Sequence, residues 1–314
     1  TTPKAPFAMI ANDHKKIYGV QFHPEVYHSI DGAKILKNFV INIAGCKSDW
    51  SMKDFKIDEI SRIKKIVGDK IVICGLSGGV DSALVTALAV EALGAAHVHP
   101  VLMPSQYSSD HSVNDSVALC KNLGLNYEII PIEKSFHAIH ESLIPAFNNK
   151  PFDLTEENMQ ARIRGLFLMA LTNKHHYILL NTSNKSEAAV GYGTLYGDMC
   201  GGLAVIADLY KTEVYELCAY INRSRKIIPQ NILTKAPSAE LRPNQKDSDS
   251  LPEYDVLDKV LFQYIEQRKG PKELIAAGFD EALVKRVLRL ANLNEYKRHQ
   301  TPPVLRVSPK AFGS

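Results

Sequence analysis

The stretch that most constrains this 314-residue chain is an apolar run that ends abruptly in glycines. Ile71-Val72-Ile73-Cys74 leads into Gly75-Leu76-Ser77-Gly78-Gly79-Val80-Asp81-Ser82, and Ala83, Leu84, Val85, Leu88 and Ala89 follow at helical spacing. A short apolar run, a turn and then a 3.6-residue period predict strand, loop and helix. The glycines let backbone N–H groups close around an anion, and the helix N-terminus adds favourable partial charge. Ser77 and Ser82 supply hydroxyl donors. Asp81 places a carboxylate beside that anion, which makes chemical sense with Mg2+ between them. No Lys follows the second glycine and no G-x-G-x-x-G is present, so two common nucleotide loops are excluded.

Around this unit, strands are expected at 70–75, 97–103, 126–131 and 177–182. Helices are expected at 57–67, 81–93, 109–123, about 155–173 with Thr155 as N-cap, 211–223 and 255–268. Such alternation of short, nearly all-apolar strands with helices predicts an α/β fold with a doubly wound parallel sheet. Residues 233–251 read as a long charged connection of the kind that makes a lid or binding loop. Upstream, 7–10 and 17–22 read as a hairpin turning at Asn12-Asp13. A helix at 31–43, ended by Gly45, completes a short α+β appendage. Residues 1–46 are too few to bury a core alone. The expected organisation is therefore 1–46 as appendage, 47–56 as linker and 57–314 as the main domain.

Composition closes off other classes. Hydrophobic residues at 45% and charged residues at 23% are ordinary globular values. Thirty-seven Lys+Arg against 34 Asp+Glu leave a formal charge of +3, too weak a bias for a nucleic-acid footprint. No apolar run approaches the ~18 residues of a membrane span, so neither nucleic acid nor membrane is expected as a partner. Cys46, Cys74, Cys120, Cys200 and Cys218 form no C-x-x-C pair and no zinc spacing. Reduced, buried thiols in a cytoplasmic protein are the expectation. Thr1, with neither Met nor an apolar leader, reads as a trimmed start.

The octet resembles the SGG-x-D-S loop of the N-type ATP pyrophosphatases, which hold the pyrophosphate of ATP and cleave between its α- and β-phosphates. Further motifs narrow the resemblance. Asn158 and Arg162 share a helix face four residues apart. Thr182 ends a strand just before Ser183-Asn184-Lys185-Ser186-Glu187. Residues 191–202 hold five glycines in twelve, a density that suits close backbone approach to a ligand. Tyr210-Lys211-Thr212, Pro237-Ser238-Ala239-Glu240-Leu241-Arg242-Pro243, Gln245-Lys246-Asp247 and residues 294–303 complete the set. From about 75 to 313 the chain resembles the synthetase domain of NAD+ synthetases, in wording closest to the glutamine-dependent branch.

That resemblance implies ATP-dependent amidation of deamido-NAD+ through an acyl-adenylate, with AMP and pyrophosphate released, in a homodimer. It assigns Gly75, Leu76, Ser77, Gly78, Gly79, Val80, Asp81, Ser82, Thr182, Lys211 and Ser238 to ATP, and Asp81 and Glu187 to Mg2+. Asn158, Arg162, Glu187, Asp198 and Lys297 fall to the deamido-NAD+ side, with Arg164 and Arg298 beside them. Asp81, Lys211 and Asp247 take the catalytic roles.

The first 75 residues follow a different pattern. Tyr18-Gly19-Val20-Gln21-Phe22-His23-Pro24-Glu25-Val26 resembles the end of a class I glutaminase domain. Gly45-Cys46, Trp50 and Val67-Gly68-Asp69-Lys70 resemble the entry to the phosphate loop of GMP synthetases. His23 and Glu25 would serve a catalytic Cys there, but none of the five cysteines lies in a G-x-C-x-G setting. The expectation is ammonia as nitrogen donor, with room for a separate glutaminase partner. The competing readings are XMP amidation, carried only by residues 1–75, and a nucleotide-binding scaffold without turnover.

Overall fold

A computed structural model describes residues 7–26, 29–47 and 67–312 and divides the chain into two units, 1–65 and 66–314. The expected linker at 47–56 and helix at 57–67 lie outside the described residues, except for Lys47 and Val67.

In the first unit, β1 (Met9–Asn12) and β2 (Ile17–Val20) form an antiparallel hairpin with Met9 opposite Val20. Both strands sit within three residues of their expected positions. The expected helix at 31–43 splits into α1 (Gly32–Lys37) and a π-helical turn, Asn38–Ile43. Periodicity does not separate these, because the apolar spacing fits either winding. Met9, Ile10, Ile17, Phe39 and Val40 are all exposed.

The second unit carries a five-stranded, wholly parallel sheet. Its strands are β3 (Val72–Gly75), β4 (Val98–Leu102), β5 (Glu128–Ile129), β6 (Ile178–Asn181) and β7 (Leu203–Ala204), in the order β5-β4-β3-β6-β7. The chain builds outward through β4 and β5, then returns to the other side of β3. Register is fixed by Val72 opposite both Val98 and Ile178. Such a reversal opens a crevice at the carboxyl ends of β3 and β6. The expected strand at 126–131 shortens to two residues, both exposed at the sheet edge.

The pleat sends alternate side chains to opposite faces. Ile73, Val101 and Leu179 join Ile132 and Phe136 with Met159, Ile163 and Leu168 in one core. These last three belong to a long helix, Leu154–His175. On the other face Cys74 meets Thr86 of the helix Val80–Leu93. These helices, with α1, give the series α2 (Val80–Leu93), α3 (Asp110–Leu123), α4 (Glu133–Phe147) and α5 (Leu154–His175). Asp153, not Thr155, caps α5: it accepts from the Thr155 amide while Glu156 returns a bond to the Asp153 amide.

Beyond β6 come α6 (Lys185–Val190), α7 (Lys211–Ile221), α8 (Gln230–Thr234), α9 (Tyr254–Ile265), α10 (Pro271–Ala276), α11 (Glu281–Leu293) and α12 (Glu295–Arg298). A second core gathers Val190, Leu257, Leu261, Leu274, Val284, Val287 and Leu288. The helices at 133–147, 185–190, 230–234, 271–276, 281–293 and 295–298 were not anticipated. For α11 the signal was present: Val284, Val287, Leu288 and Ala291 lie at helical spacing after an Asp280 cap that accepts from the Leu283 amide. The strand Leu203–Ala204 depends on its neighbours alone, pairing with β6 and bridging to Val304.

Candidate active site

Where β3 ends, the chain turns through the glycine loop into α2. Gly78 adopts φ +79, and a Cβ there would come within 2.5 Å of the Ser112 carbonyl oxygen, so only glycine fits. The loop is closed on itself by hydroxyls. Ser77 Oγ and Ser82 Oγ lie 3.1 Å apart, and the Gly79 amide donates to Ser77 Oγ at 3.3 Å. Asp81 stands in the first turn of α2, where negative charge is favourable.

A cavity of about 290 Å3 opens from this loop. Gly75, Leu76, Ser77, Gly79, Val80, Asp81 and Ser82 line it, together with Thr182, Glu187, Asp198, Lys211, Ser238 and Asp247. Residues far apart in sequence therefore meet. Gly78 is not in the lining because it turns towards Ser112.

Lys211 is the electrostatic centre. It is 3% exposed, and its Nζ donates to Asp81 Oδ2 at 2.5 Å and to Glu187 Oε1 at 3.1 Å. Burial alone would depress this ammonium, but Asp81, Glu187 and Asp247 together raise it, so it stays charged. Burial pushes Glu187 up to about 8 against the opposing pull of Lys211, with Asp81 and Asp247 adding to the rise. Asn184, capping α6 through the Glu187 amide, donates Nδ2 to Asp81 Oδ1 at 2.9 Å. The Tyr210–Lys211 step is fixed in turn, because the Lys211 amide donates to Ser186 Oγ and Ser186 to Asp258.

Asp247 reaches the cluster from the long connection. Tyr192 donates to its Oδ1 at 3.1 Å and Tyr254 to its Oδ2 at 2.9 Å, while the Tyr254 ring lies 5.2 Å from Lys211 Nζ. Burial raises the Asp247 carboxyl, opposed by Lys211 and the two phenols. Two carboxylates thus pair with one ammonium, and a third, Asp247, stands near them in a poorly solvated pocket. Hard oxygen donors with excess negative charge suit a divalent cation such as Mg2+. Among the described residues no group of three or more His, Cys, Asp or Glu forms a cage of its own.

Asn158, Arg162 and Lys297 occupy a different place, absent from the cavity lining. All three reach the glycine-rich loop at 191–202. Asn158 Oδ1 accepts from Thr194 Oγ1 at 2.7 Å, and Arg162 Nε donates to the Leu195 carbonyl at 3.2 Å. Lys297 Nζ donates to the Gly191 and Gly193 carbonyls, both at 2.7 Å. Asp198 joins them from the cavity side, accepting from the Thr194 amide at 2.6 Å. The loop also presses on α5: a Cβ on Gly197 would sit 2.9 Å from the Ala161 carbonyl carbon. Arg164 does line the cavity, with Nε donating to the Met103 carbonyl. Burial lowers it to about 10 despite Asp198 and Glu240 nearby. Arg298 donates instead to the Ala189 carbonyl, and its guanidinium lies over the Phe312 ring.

A parallel sheet with a topological switch, an SGG-x-D-S loop at β3 and a lysine caged by carboxylates from two helices form one constellation. The NAD synthase family profile matches residues 56–301. The chain belongs to the NAD synthase family. A second profile, class-I glutamine amidotransferase, matches residues 2–43.

Relatives within the family agree. The glutamine-dependent NAD(+) synthetase of Synechocystis sp. is 55% identical over 242 residues, 77% of this chain but 43% of that protein. The chain therefore spans less than half the length of this relative. A glutamine-dependent NAD+ synthetase from Acinetobacter baumannii, solved with ADP, is 44% identical with a TM-score of 0.55, covering 80% of this chain and 45% of that one. The NH3-dependent NAD synthetase from Campylobacter jejuni is 28% identical with a TM-score of 0.62, covering 82% of this chain and 100% of that one. These neighbours share the ATP-pyrophosphatase fold expected from the octet.

Several residues of the site escaped sequence reading. Asn184 lay in the segment after the strand at 177–182 with no role assigned, and Tyr192 lay among glycines. Tyr254 began a helix expected one residue later. Nothing in their spacing points at Asp81 or Asp247. Of the thiols expected to be unpaired and buried, Cys74, Cys120 and Cys218 are so, whereas Cys200 is half-buried and Cys46 is exposed.

Proposed function

We propose that this chain amidates deamido-NAD+ to NAD+ at the expense of ATP, releasing AMP and pyrophosphate. The observation that carries this reading is the Asp81–Lys211–Glu187 cluster, set in the cavity beside the phosphate loop and approached by Asp247. The loop amides and the Ser77 and Ser82 hydroxyls would take the β- and γ-phosphates, with Thr182 and Ser238 flanking the nucleotide. Lys211 would stabilise charge developing on the phosphates as the nicotinate carboxylate attacks the α-phosphorus. The resulting acyl-adenylate gives the carboxylate a good leaving group, and ammonia displaces AMP without a nucleophilic Ser or Cys. Asp81 and Glu187 would hold Mg2+ together with the phosphates, and Mg2+ would supply charge neutralisation there. Asp247 belongs near the reacting groups. Asn158, Arg162, Asp198, Lys297 and Glu187 are the deamido-NAD+ side, acting directly or by shaping the 191–202 loop.

Ammonia is the nitrogen donor in this reading. An NH3-dependent relative matched over its whole length supports it. A separate glutaminase partner is compatible with His23 Nδ1 lying 2.7 Å from Glu25 Oε1, a base and its orienter. Gly45-Cys46 and Trp50 would then be an entry segment of the GMP-synthetase kind. A homodimer is supported by exposed Leu154, Leu166 and Met169 on α5, with Ile139 and Ile144 on α4. A cytoplasmic setting is supported by five unpaired thiols. Among the described residues no helix is long and apolar enough to cross a membrane.

The test is product analysis by mass spectrometry, with ATP, Mg2+ and ammonium supplied with either deamido-NAD+ or XMP. NAD+, AMP and pyrophosphate in equal amounts are expected. ADP as the stoichiometric product would sink the reading, and GMP from XMP would replace it with the alternative amidation.

A further inference from the structure

The segment 235–250 lies between two walls of the cavity and is tied differently to each. On the α5 side the ties are several. Fully buried Gln160 donates Nε2 to the Leu241 carbonyl at 2.8 Å. Glu157 accepts from Gln245 at 3.1 Å and pairs with Arg242 at 3.2 Å. On the α3 side the ties are the Glu240 carboxylate and, at the start of the segment, Lys235, which pairs with Asp115 at 3.6 Å. Glu240 Oε1 accepts from Ser112 Oγ at 2.7 Å and Ser109 Oγ at 2.8 Å, and Oε2 accepts from the Ser109 amide at 3.3 Å. Lys235 adds a bond to the same Ser112 hydroxyl at 2.9 Å.

We propose that Glu240 is a positioning residue, the latch that holds the 235–250 segment across the cavity by seating its carboxylate on Ser109 and Ser112. Hydrogen bonds to a charged acceptor are about twice as strong as neutral ones, so a single side chain can hold the strap. Glu240 itself adopts φ +50, a conformation that costs free energy and persists where surrounding contacts enforce it. The contact with Ser112 extends to the phosphate loop, because the Ser112 backbone is what leaves Gly78 no room for a Cβ. Latching therefore braces the wall behind the loop while it brings Ser238 and Asp247, on the same segment, against the cavity. Gln160 anchors the strap at one edge, and Glu240 is the fastening that can release.

The catalytic consequence rests on the NAD+-forming reading above, while the latch itself does not. Hydrogen exchange of the free chain reads the latch directly. Glu240→Ala should quicken exchange of the amides at 236–246 by about tenfold or more, with the sheet amides of β3 and β6 unchanged. Glu240→Gln, which keeps one acceptor oxygen, should fall between. In turnover, Glu240→Ala should raise the KM for ATP about tenfold while kcat falls by less. Unchanged exchange at 236–246 in Glu240→Ala overturns the latch. So does faster exchange spread over the whole chain, which would mark a merely structural residue. If exchange quickens as expected but the unaltered chain makes no NAD+, the latch stands and the assigned reaction fails.

Discussion

Two buried lysines sit 26 residues apart, each caged by a pair of carboxylates, and the cages do opposite work. Lys185 is 0% exposed. It pairs with Asp208 at 2.8 Å and with Glu266, and donates to Ser308 Oγ at 2.9 Å and the Lys310 carbonyl at 2.8 Å. Its cage ties α6 and the end of α9 to residues 308–310. Burial would raise Asp208, yet the donors from Lys185 and Ser308 and the Val307 and Ser308 amides hold it below its ordinary range. Lys211 has the same partners by type but faces a cavity, and its carboxylates keep residual exposure of 17% and 16%. An enclosed cage binds the chain to itself, whereas a cage with an open side offers charge to a ligand. The composition of a charge cluster does not tell the two apart. Access does.

The contrast can be broken by substitution, the largest effect first. Asp81→Asn should cut turnover on the order of 10³-fold or more, as expected for an electrostatic contact made to developing charge. Its thermal unfolding midpoint should fall by less than that of a Lys185 variant, because Glu187 still pairs with Lys211 and the cage has an open side. Steady-state assays with parallel calorimetry check both, and full Mg2+-dependent activity would remove Asp81 from the site.

Lys185→Met should do the reverse. Deleting one partner leaves buried charge uncompensated, a loss of about 3–5 kcal/mol in stability. Denaturant titration measures it. Unchanged stability with lost turnover would make the two cages alike and end the comparison.

A smaller effect is expected where the 191–202 loop is held from outside. Arg162→Ala removes one bond to the Leu195 carbonyl and should raise the KM for deamido-NAD+ severalfold, or about 1 kcal/mol. The KM for ATP should stay put. Equal changes in both would place Arg162 on a solvated face.

The smallest effect concerns thiols in the two units. Burial pushes Cys74 and Cys120 up to about 11 and Cys218 up to about 12, so these stay protonated and shielded at neutral pH. Cys46 is exposed. Alkylation at pH 7.5, read by peptide mass spectrometry, should label Cys46 first and the other three only on unfolding. Early labelling of Cys218 would contradict the packing of α7 against α2.

How much of this was legible follows from the range of each interaction. The phosphate loop could be read because its parts are contiguous: a strand, φ-permissive glycines and a helix start lie within twenty residues. The helix at 281–293 was equally local and its spacing is clear in retrospect. Glu187 and Lys211 came from resemblance rather than from spacing, since a carboxylate at a helix start is commonplace. Asn184, Tyr192 and Tyr254 had no local signal. Their role exists only because β6 returns beside β3 and α9 packs near α6, which brings their donors to Asp81 and Asp247.

The sequence by itself determined the elements and one end of the site. Backbone preference, apolar period and glycine placement act over a few residues, and they specify the β3–loop–α2 unit without help from the rest. The tertiary structure alone decided which charges meet. Burial and pairing depend on neighbours 23 to 130 positions away, as in Lys185 with Asp208 and Lys211 with Asp81. Electrostatics in a poorly solvated interior is set by that company, so one lysine became a fastening and the other the centre of the cavity.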